Sequence, residues 1–283
     1  MHLRKNKTKG IAIDGVPIRK ASELFGLIHF VFFSPEDLSI IKNGPAERRH
    51  FLDSELCQLD KVYLYQLSNY NKVVLQRNKL LKELYLHPDY REVLDVLDMQ
   101  LVQYGSALIQ RRQTFAEELG EIVHRIHSQL SGGQEEMELK YEPNVTVDAF
   151  AQMLFANRER DMRLKTTATG THRDDISFVV NGVDIRKFGS QGQQRTAALS
   201  LKLSEIELVK RLIGDTPVLL LDDVLSELDS GRQNYLLNSI ENIQTLITCT
   251  GLDEFVNHRF SINRIYKVTD GSVTVENKQE ADR

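Results

Sequence analysis

Between Phe51 and Leu130 the apolar positions recur at spacings of three and four, in two series. The first is Leu52, Leu56, Leu59, Tyr63, Leu67, Tyr70, Val74, Leu81 and Leu84, and the second is Leu94, Leu97, Leu101, Leu108, Phe115, Leu119, Ile122, Ile126 and Leu130. Helical periodicity on that scale predicts two long helices. His87-Pro88 lies between them, where proline breaks a helix, so the pair reads as an antiparallel helical hairpin. The flanks have a different rhythm. Ile11–Ile13 and Val16–Ile18 about Asp14-Gly15 predict a β-hairpin. Residues 28–33 predict a strand, and Ser34-Pro35-Glu36-Asp37 a helix start, with Asn43-Gly44-Pro45 a second start. After the hairpin of helices, Ser131-Gly132-Gly133 reads as a turn and Met137, Leu139 and Tyr141 as an alternating strand. Residues 148–160 predict one helix, and 176–180 with 183–185 a hairpin about Asn181-Gly182. A strand over 245–250 and a last hairpin, 265–268 with 273–275 about Asp270-Gly271, close the chain before a polar tail.

The densest stretch runs from Lys187 to Asp229. A polar turn, Gly189-Ser190-Gln191-Gly192-Gln193, precedes a helix with Ala197, Ala198, Leu201, Ile206, Leu208, Val209, Leu212 and Ile213 on its apolar positions. Pro217 then opens an apolar run, Val218 to Leu221, that ends in Asp222 and Asp223. A short continuous apolar run is what a strand buried on both faces looks like. Ligands of open parallel sheets sit beyond the carboxyl ends of the strands. A strand-end aspartate there is placed to hold Mg²⁺ on a nucleotide through water, and the next carboxylate to orient an attacking water. The plainer alternative is a strand leading into an acidic loop. Ser190 is a helix cap, and Gly192 lets an anion approach the backbone of the first turn; the plainer alternative is a capped helix with no ligand.

Taken in order, Ser190-Gln191-Gly192-Gln193, a helix, the strand ending Asp222-Asp223, and Ser226-Glu227-Leu228-Asp229 resemble the head domain of ABC-type ATPases. In that group these are the signature motif, the Walker B strand and the D-loop. FGSQGQQRT and LLLDDVLSELD, with 33–53 and 169–182, resemble the RecF family of DNA repair proteins, relatives of Rad50 and SMC heads, over nearly the whole chain. The resemblance implies an α/β, ABC-ATPase-like head, a mixed sheet with flanking helices, carrying an inserted antiparallel helical arm. It divides the chain into 1–45, the remainder of an N-terminal half-head; 46–135, the arm; and 136–283, the C-terminal half-head. It implies ATP and Mg²⁺ as cofactors, with Asp222 near Mg²⁺ and Asp223 positioning water. Ser190, Gln191, Gly192, Gln193, Asp229 and Thr248 would serve the nucleotide, the signature turn acting on ATP held by the other subunit of an ATP-dependent homodimer. It further implies binding to single- or double-stranded DNA and gap junctions, with RecR, and less directly RecO and RecA, as partners in recombinational repair, replication and the SOS response.

Several departures qualify that picture. The literal signature string, Leu130-Ser131-Gly132-Gly133-Gln134, stands before a strand and not before a helix, so 190–193 is the working signature. Thr248-Cys249-Thr250 stands where many such heads have a histidine, and Asp223 where glutamate is common; both suit slow hydrolysis. Thr171 stands where the family has proline. A phosphate-binding loop reads GxxxxGK[ST], and the chain holds no Gly-Lys pair, so the resemblance implies a preceding strand and Walker A loop that this sequence does not include. A non-catalytic fragment that keeps DNA or partner contacts, and another ABC-type head of Rad50 or OLD type, are the alternatives.

Charge bears mainly on DNA. The net charge of −4 gives no overall pull toward a polyanion, so a DNA surface must be local. Arg4, Lys5, Lys7 and Lys9 form one basic cluster. Arg48 and Arg49 form another, in a helix first turn where the dipole disfavours cations; Glu47, Asp53, a nucleotide or DNA would each supply an anion. Cys57 and Cys249 are far apart with no metal-type spacing and read as inert thiols in a reducing compartment. No apolar run is long enough to cross a membrane and no leader is visible, which makes a cytoplasmic place the default.

Overall fold

The structure, a computed structural model, describes residues 10–83, 91–250 and 262–276. Its parallel strands sit side by side although they are far apart in sequence. β3 (Phe30–Phe33) and β8 (Thr245–Thr248) flank β7 (Val218–Asp222), all parallel, with Phe33 opposite Leu221 and Asp222 opposite Thr248. The strands therefore end together, and Ser34, Asp223 and Cys249 all follow at that one edge. Val31, Phe33, Leu219 and Leu221 are buried, and α8 (Gln191–Ile213) packs on β3. A second sheet is antiparallel: β4 (Met137–Glu142), β5 (Asp175–Val180) and the two-residue β6 (Val183–Asp184). The strand expected to run to 185 stops early, because Asp184 caps a short helix, α7 (Ile185–Phe188), through the Arg186 N–H. Two hairpins complete the strands, β1 (Ile11–Ile13) with β2 (Val16–Ile18) and β9 (Ile265–Thr269) with β10 (Ser272–Glu276). In both, the two turn residues have positive φ (Asp14-Gly15 and Asp270-Gly271), the conformation a tight hairpin turn requires.

The arm differs from the sequence expectation in one respect. The first apolar series forms two helices, α2 (Pro45–Leu59) and α3 (Lys61–Glu83), because Asp60 leaves helical geometry and its Oδ1 accepts the N–H groups of Val62 and Tyr63. That is N-capping in the middle of an unbroken apolar stripe. The second series forms α4 (Arg91–Leu130), which packs against α3, β4 and α8 and so joins arm to head. Residues 148–160 likewise divide, into α5 (Phe150–Ala156) and α6 (Arg158–Leu164). The short helix α1 (Leu38–Lys42) follows the Ser34 capping box. His87-Pro88, the 1–9 basic cluster and the tail from 277 lie outside the described residues.

Candidate nucleotide site and its supports

The edge where the parallel strands end brings the Walker B aspartates together with Thr248. The Thr248 hydroxyl donates to Asp222 Oδ1 at 2.5 Å, and its oxygen lies 3.2 Å from the Asp223 N–H. Asp223 is left-handed, at φ 51°, and Ser226 Oγ donates to its carbonyl at 2.9 Å. One threonine thus aligns both acidic residues, and both remain at the surface. The donors here are carboxylate and hydroxyl oxygens, hard ligands of the kind Mg²⁺ takes while keeping several waters, so the set fits that ion. Beside it lies a cavity of about 60 Å³ lined by Ser34, Asp37, Arg195, Lys202, Val224 and Leu228.

The signature turn is built as a reciprocal cap on α8. Ser190 Oγ accepts the Gln193 N–H at 3.2 Å, and Gln193 Oε1 accepts the Ser190 N–H at 3.0 Å. Ser190, Gln191 and Gly192 are exposed. The N–H groups of Gln191 and Gly192, as in any first turn, lack helical acceptors and are free for an anion. Asp229 is committed otherwise than a nucleotide role alone would have it. Its carboxylate caps α9 (Ser230–Ser239) by accepting the Arg232 N–H, which with the paired Arg232 guanidinium holds it below the usual carboxylate range. Arg232 in turn donates to Thr196 Oγ1 at 2.8 Å, and Thr196 to the Gly192 carbonyl at 2.9 Å. The D-loop and the signature of one chain are therefore connected by side chains.

The structure separates the two arginines of the second basic cluster. Arg48 is only 4% exposed and forks onto Asp175, with Nε–Oδ1 at 2.6 Å and Nη2–Oδ2 at 3.1 Å, while Nη1 bonds the carbonyls of Ile40 and Asn43. The expectation that Arg48 faces DNA is corrected accordingly. Its anionic partner is Asp175, and its donors point inward. Arg49 bonds only the Asp174 carbonyl, at 2.7 Å, and pairs with no carboxylate among the described residues. Burial and the neighbouring Arg112 hold its pKa below the ordinary guanidinium value. Arg173, beside it electrostatically, is exposed and also has no carboxylate partner among the described residues. The loop 169–175 otherwise turns its polar groups inward. His172 accepts from the Tyr70 hydroxyl at Nδ1 and donates to the Thr167 carbonyl from Nε2, and burial pushes its pKa down to about 4.

Sequence reasoning missed the buried ionic groups that lock arm to head. Arg112, 1% exposed, reaches Asp53, Asp174, the Thr171 carbonyl and the Tyr63 hydroxyl. Arg77 reaches Asp98, Asp161 and Thr167. A signal was present: the apolar stripes skip from Val74 to Leu81 and from Leu108 to Phe115, and the arginines occupy the vacant helical positions. Cys57 is buried and its thiol is pushed up to about 12, consistent with an inert side chain.

Comparison with known proteins adds the decisive observation. The chain is 61% identical over 279 residues to the DNA replication and repair protein RecF of Lachnospira eligens, a match covering 98% of this chain and 77% of the relative. The chain belongs to the RecF family of DNA replication and repair proteins. RecF of Agathobacter rectalis is 62% identical and RecF of Clostridium perfringens 41%, each over about three quarters of its own length (76%). A solved structure of the recombination mediator protein RecF with ATP, from the RecFOR pathway, superposes with a TM-score of 0.87 at 34% identity, covering 96% of this chain and 74% of that one. A second such RecF structure, with ATPrS, superposes equally well. No family model matches the chain. The RecF relationship accounts for the ABC-type head and its helical arm, and no described helix is long and apolar enough to cross a membrane.

Proposed function

We propose that the chain supplies the signature, Walker B and D-loop surfaces of a RecF head that pairs around ATP on DNA. The observation that carries this reading is the exposed, reciprocally capped turn at 190–193, tied through Thr196 and Arg232 to the D-loop beside Asp222 and Asp223. Asp222 would hold Mg²⁺ through water, and the ion would neutralise charge on the phosphates. Asp223 orients water, with Thr248 bonding the Asp222 carboxylate and the Asp223 N–H in place of a proton carrier. The Ser190 hydroxyl and the first-turn N–H groups meet the γ-phosphate held by a second subunit. The limits of the arm are taken near 46 and 135. RecR, RecO and RecA as partners, homodimerisation and a cytoplasmic place belong to the same proposal. The test is sedimentation of the chain mixed with full-length RecF of Lachnospira eligens, with and without Mg-ATP. ATP-dependent association that Ser190→Arg abolishes is expected; association unaffected by the mutation would sink the trans role.

For DNA, the proposed contacts are Arg49 and Arg173, the cations without carboxylate partners described above, together with Arg4, Lys5, Lys7 and Lys9. Binding through phosphates weakens steeply with salt and shows little sequence preference. Reversing these charges should lower both affinity and salt slope. An unchanged slope would place the DNA surface elsewhere.

A further inference from the structure

The turn that spells the unused signature string delivers a residue to the working one. α4 ends at Leu130, and Gly132 and Gly133 follow in left-handed conformation, with the Gly133 N–H donating to the Ser128 carbonyl at 2.7 Å. Ser131 Oγ accepts the Glu135 N–H at 3.2 Å. The turn so held sets Glu135 against the first turn of α8, where its Oε1 accepts from Gln193 Nε2 at 2.9 Å. Its Oε2 lies 3.0 Å from His127 Nε2, and His127 Nδ1 lies 3.0 Å from Ser200 Oγ, two turns further along α8.

The protonation states follow from burial. His127 is 0% exposed, and burial lowers its pKa, opposed by Glu135. A neutral ring donating from Nε2 to the Glu135 carboxylate turns its unprotonated Nδ1 toward Ser200 Oγ, whose own proton goes to the Thr196 carbonyl at 2.7 Å. Serine, histidine and glutamate in line resemble a hydrolytic relay, but Ser200 and His127 are both fully buried, so no substrate reaches the serine. The open end of the line is Gln193. With its NH₂ held by a carboxylate, the amide cannot flip without setting its carbonyl against that charge. Its Oε1 must then face the Ser190 N–H, and the Gln193 N–H faces Ser190 Oγ. Ser190 Oγ is thereby used as an acceptor, and its own proton is left to donate outward.

We propose that Glu135, seated on His127, is a positioning residue for the signature turn: it fixes the Gln193 amide, and through it the Ser190 hydroxyl, from the base of the arm. This deepens the reading of 190–193 as the signature and rests on it only for the nucleotide step. The test compares Glu135→Ala and Glu135→Gln in the full 283-residue chain; glutamine keeps a carbonyl acceptor for Gln193. Hydrogen exchange at the bonded amides of Ser190, Gln193 and Gln194 should quicken about tenfold in E135A, the factor set by losing a hydrogen bond to a charged group. Exchange in β4 and β5 should stay unchanged, and E135Q should restore most of the protection. ATP-dependent association with full-length RecF should weaken by a similar factor in E135A and recover in E135Q. Unchanged exchange at those three amides, or equal loosening throughout the chain, overturns the proposal. A loosened turn in E135A with no ATP-dependent association even in the wild type would uphold the positioning and sink the nucleotide reading instead.

Discussion

Replacing Arg112 by methionine tests whether the buried ionic lock holds arm to head. Methionine keeps most of the stem and removes only the guanidinium. What it leaves behind sets the magnitude. Asp174 is 0% exposed and loses a bond of 2.8 Å, the Thr171 carbonyl loses another of 2.8 Å, and the Tyr63 hydroxyl one of 2.9 Å. Asp174 keeps the Tyr141 hydroxyl and the Asn144 N–H, which soften the loss. Breaking one side of a buried pair costs about 3–5 kcal/mol, because the other charge is stranded. Urea denaturation at pH 7 should show a loss in that range. The pH dependence carries a second check. Burial already raises the Asp174 pKa, and Arg112 is the chief group opposing it; without Arg112 it rises further. A carboxyl with a raised folded pKa contributes stability below its unfolded pKa and loses it as pH rises through the folded value. The deficit of R112M should therefore be smallest in acid and full at neutral pH. Adding Asp174→Asn should recover part of it, since the stranded charge is gone. A loss under about 1 kcal/mol, or a double mutant weaker than R112M by the full cost of Asp174→Asn alone, would refute the argument.

Other expectations are as direct. Burial pushes the Glu55 carboxyl up to about 7, so its contribution is present below its unfolded value and fades toward pH 7; Glu55→Gln should flatten the stability–pH curve there by roughly 3 kcal/mol, read by denaturation across pH. Gly105→Ala should cost about 1–3 kcal/mol by overpacking, because its Cβ would stand 2.4 Å from the buried Phe150 ring; an unchanged thermal midpoint would contradict it. The 283-residue chain alone should bind Mg-ATP weakly and not hydrolyse it, since Asp222 and Asp223 repel a polyanion without a nest of N–H groups and a lysine; a micromolar calorimetric constant would refute this. Phe32 and Leu246 lie in one row across the parallel sheet and are 47% and 54% exposed, so Phe32→Ser with Leu246→Ser should lower self-association without lowering stability.

Much of the fold was legible because its signals are local. Paired positive-φ turns, the Ser34 capping sequence and the helical stripes each announce an element without reference to the rest of the chain. The failures lie where a polar residue interrupts a pattern. Asp60 continues the spacing of its neighbours, yet its side chain ends one helix and begins the next. Arg112 and Arg77 sit on apolar stripes and read as gaps, when they are where the stripe meets acidic residues brought from 53, 98, 161 and 174. No local pattern names those partners, because they come together only on folding. The same holds for Arg48: the helix dipole argued correctly for an anionic neighbour, and tertiary contact chose Asp175, far along the chain.

The polar supports of the signature turn answer a geometric problem that apolar packing leaves open. α8 is buried along most of its length, and apolar contacts on a smooth helix permit small rotations at little cost. Gln193 is held from one side by Glu135, and Thr196, whose hydroxyl donates to the Gly192 carbonyl, from the other by Arg232. Hydrogen bonds of fixed length and direction from two sides admit one rotational setting of the first turn. One of those anchors comes from the end of α4 and the other from the helix after the D-loop. A displacement of either α4 or α9 must therefore move the turn or break a bond to it, whereas an apolar seam would let the helices slip past one another. That is the physical reason to expect the 190–193 turn to respond to the arm and to the D-loop together.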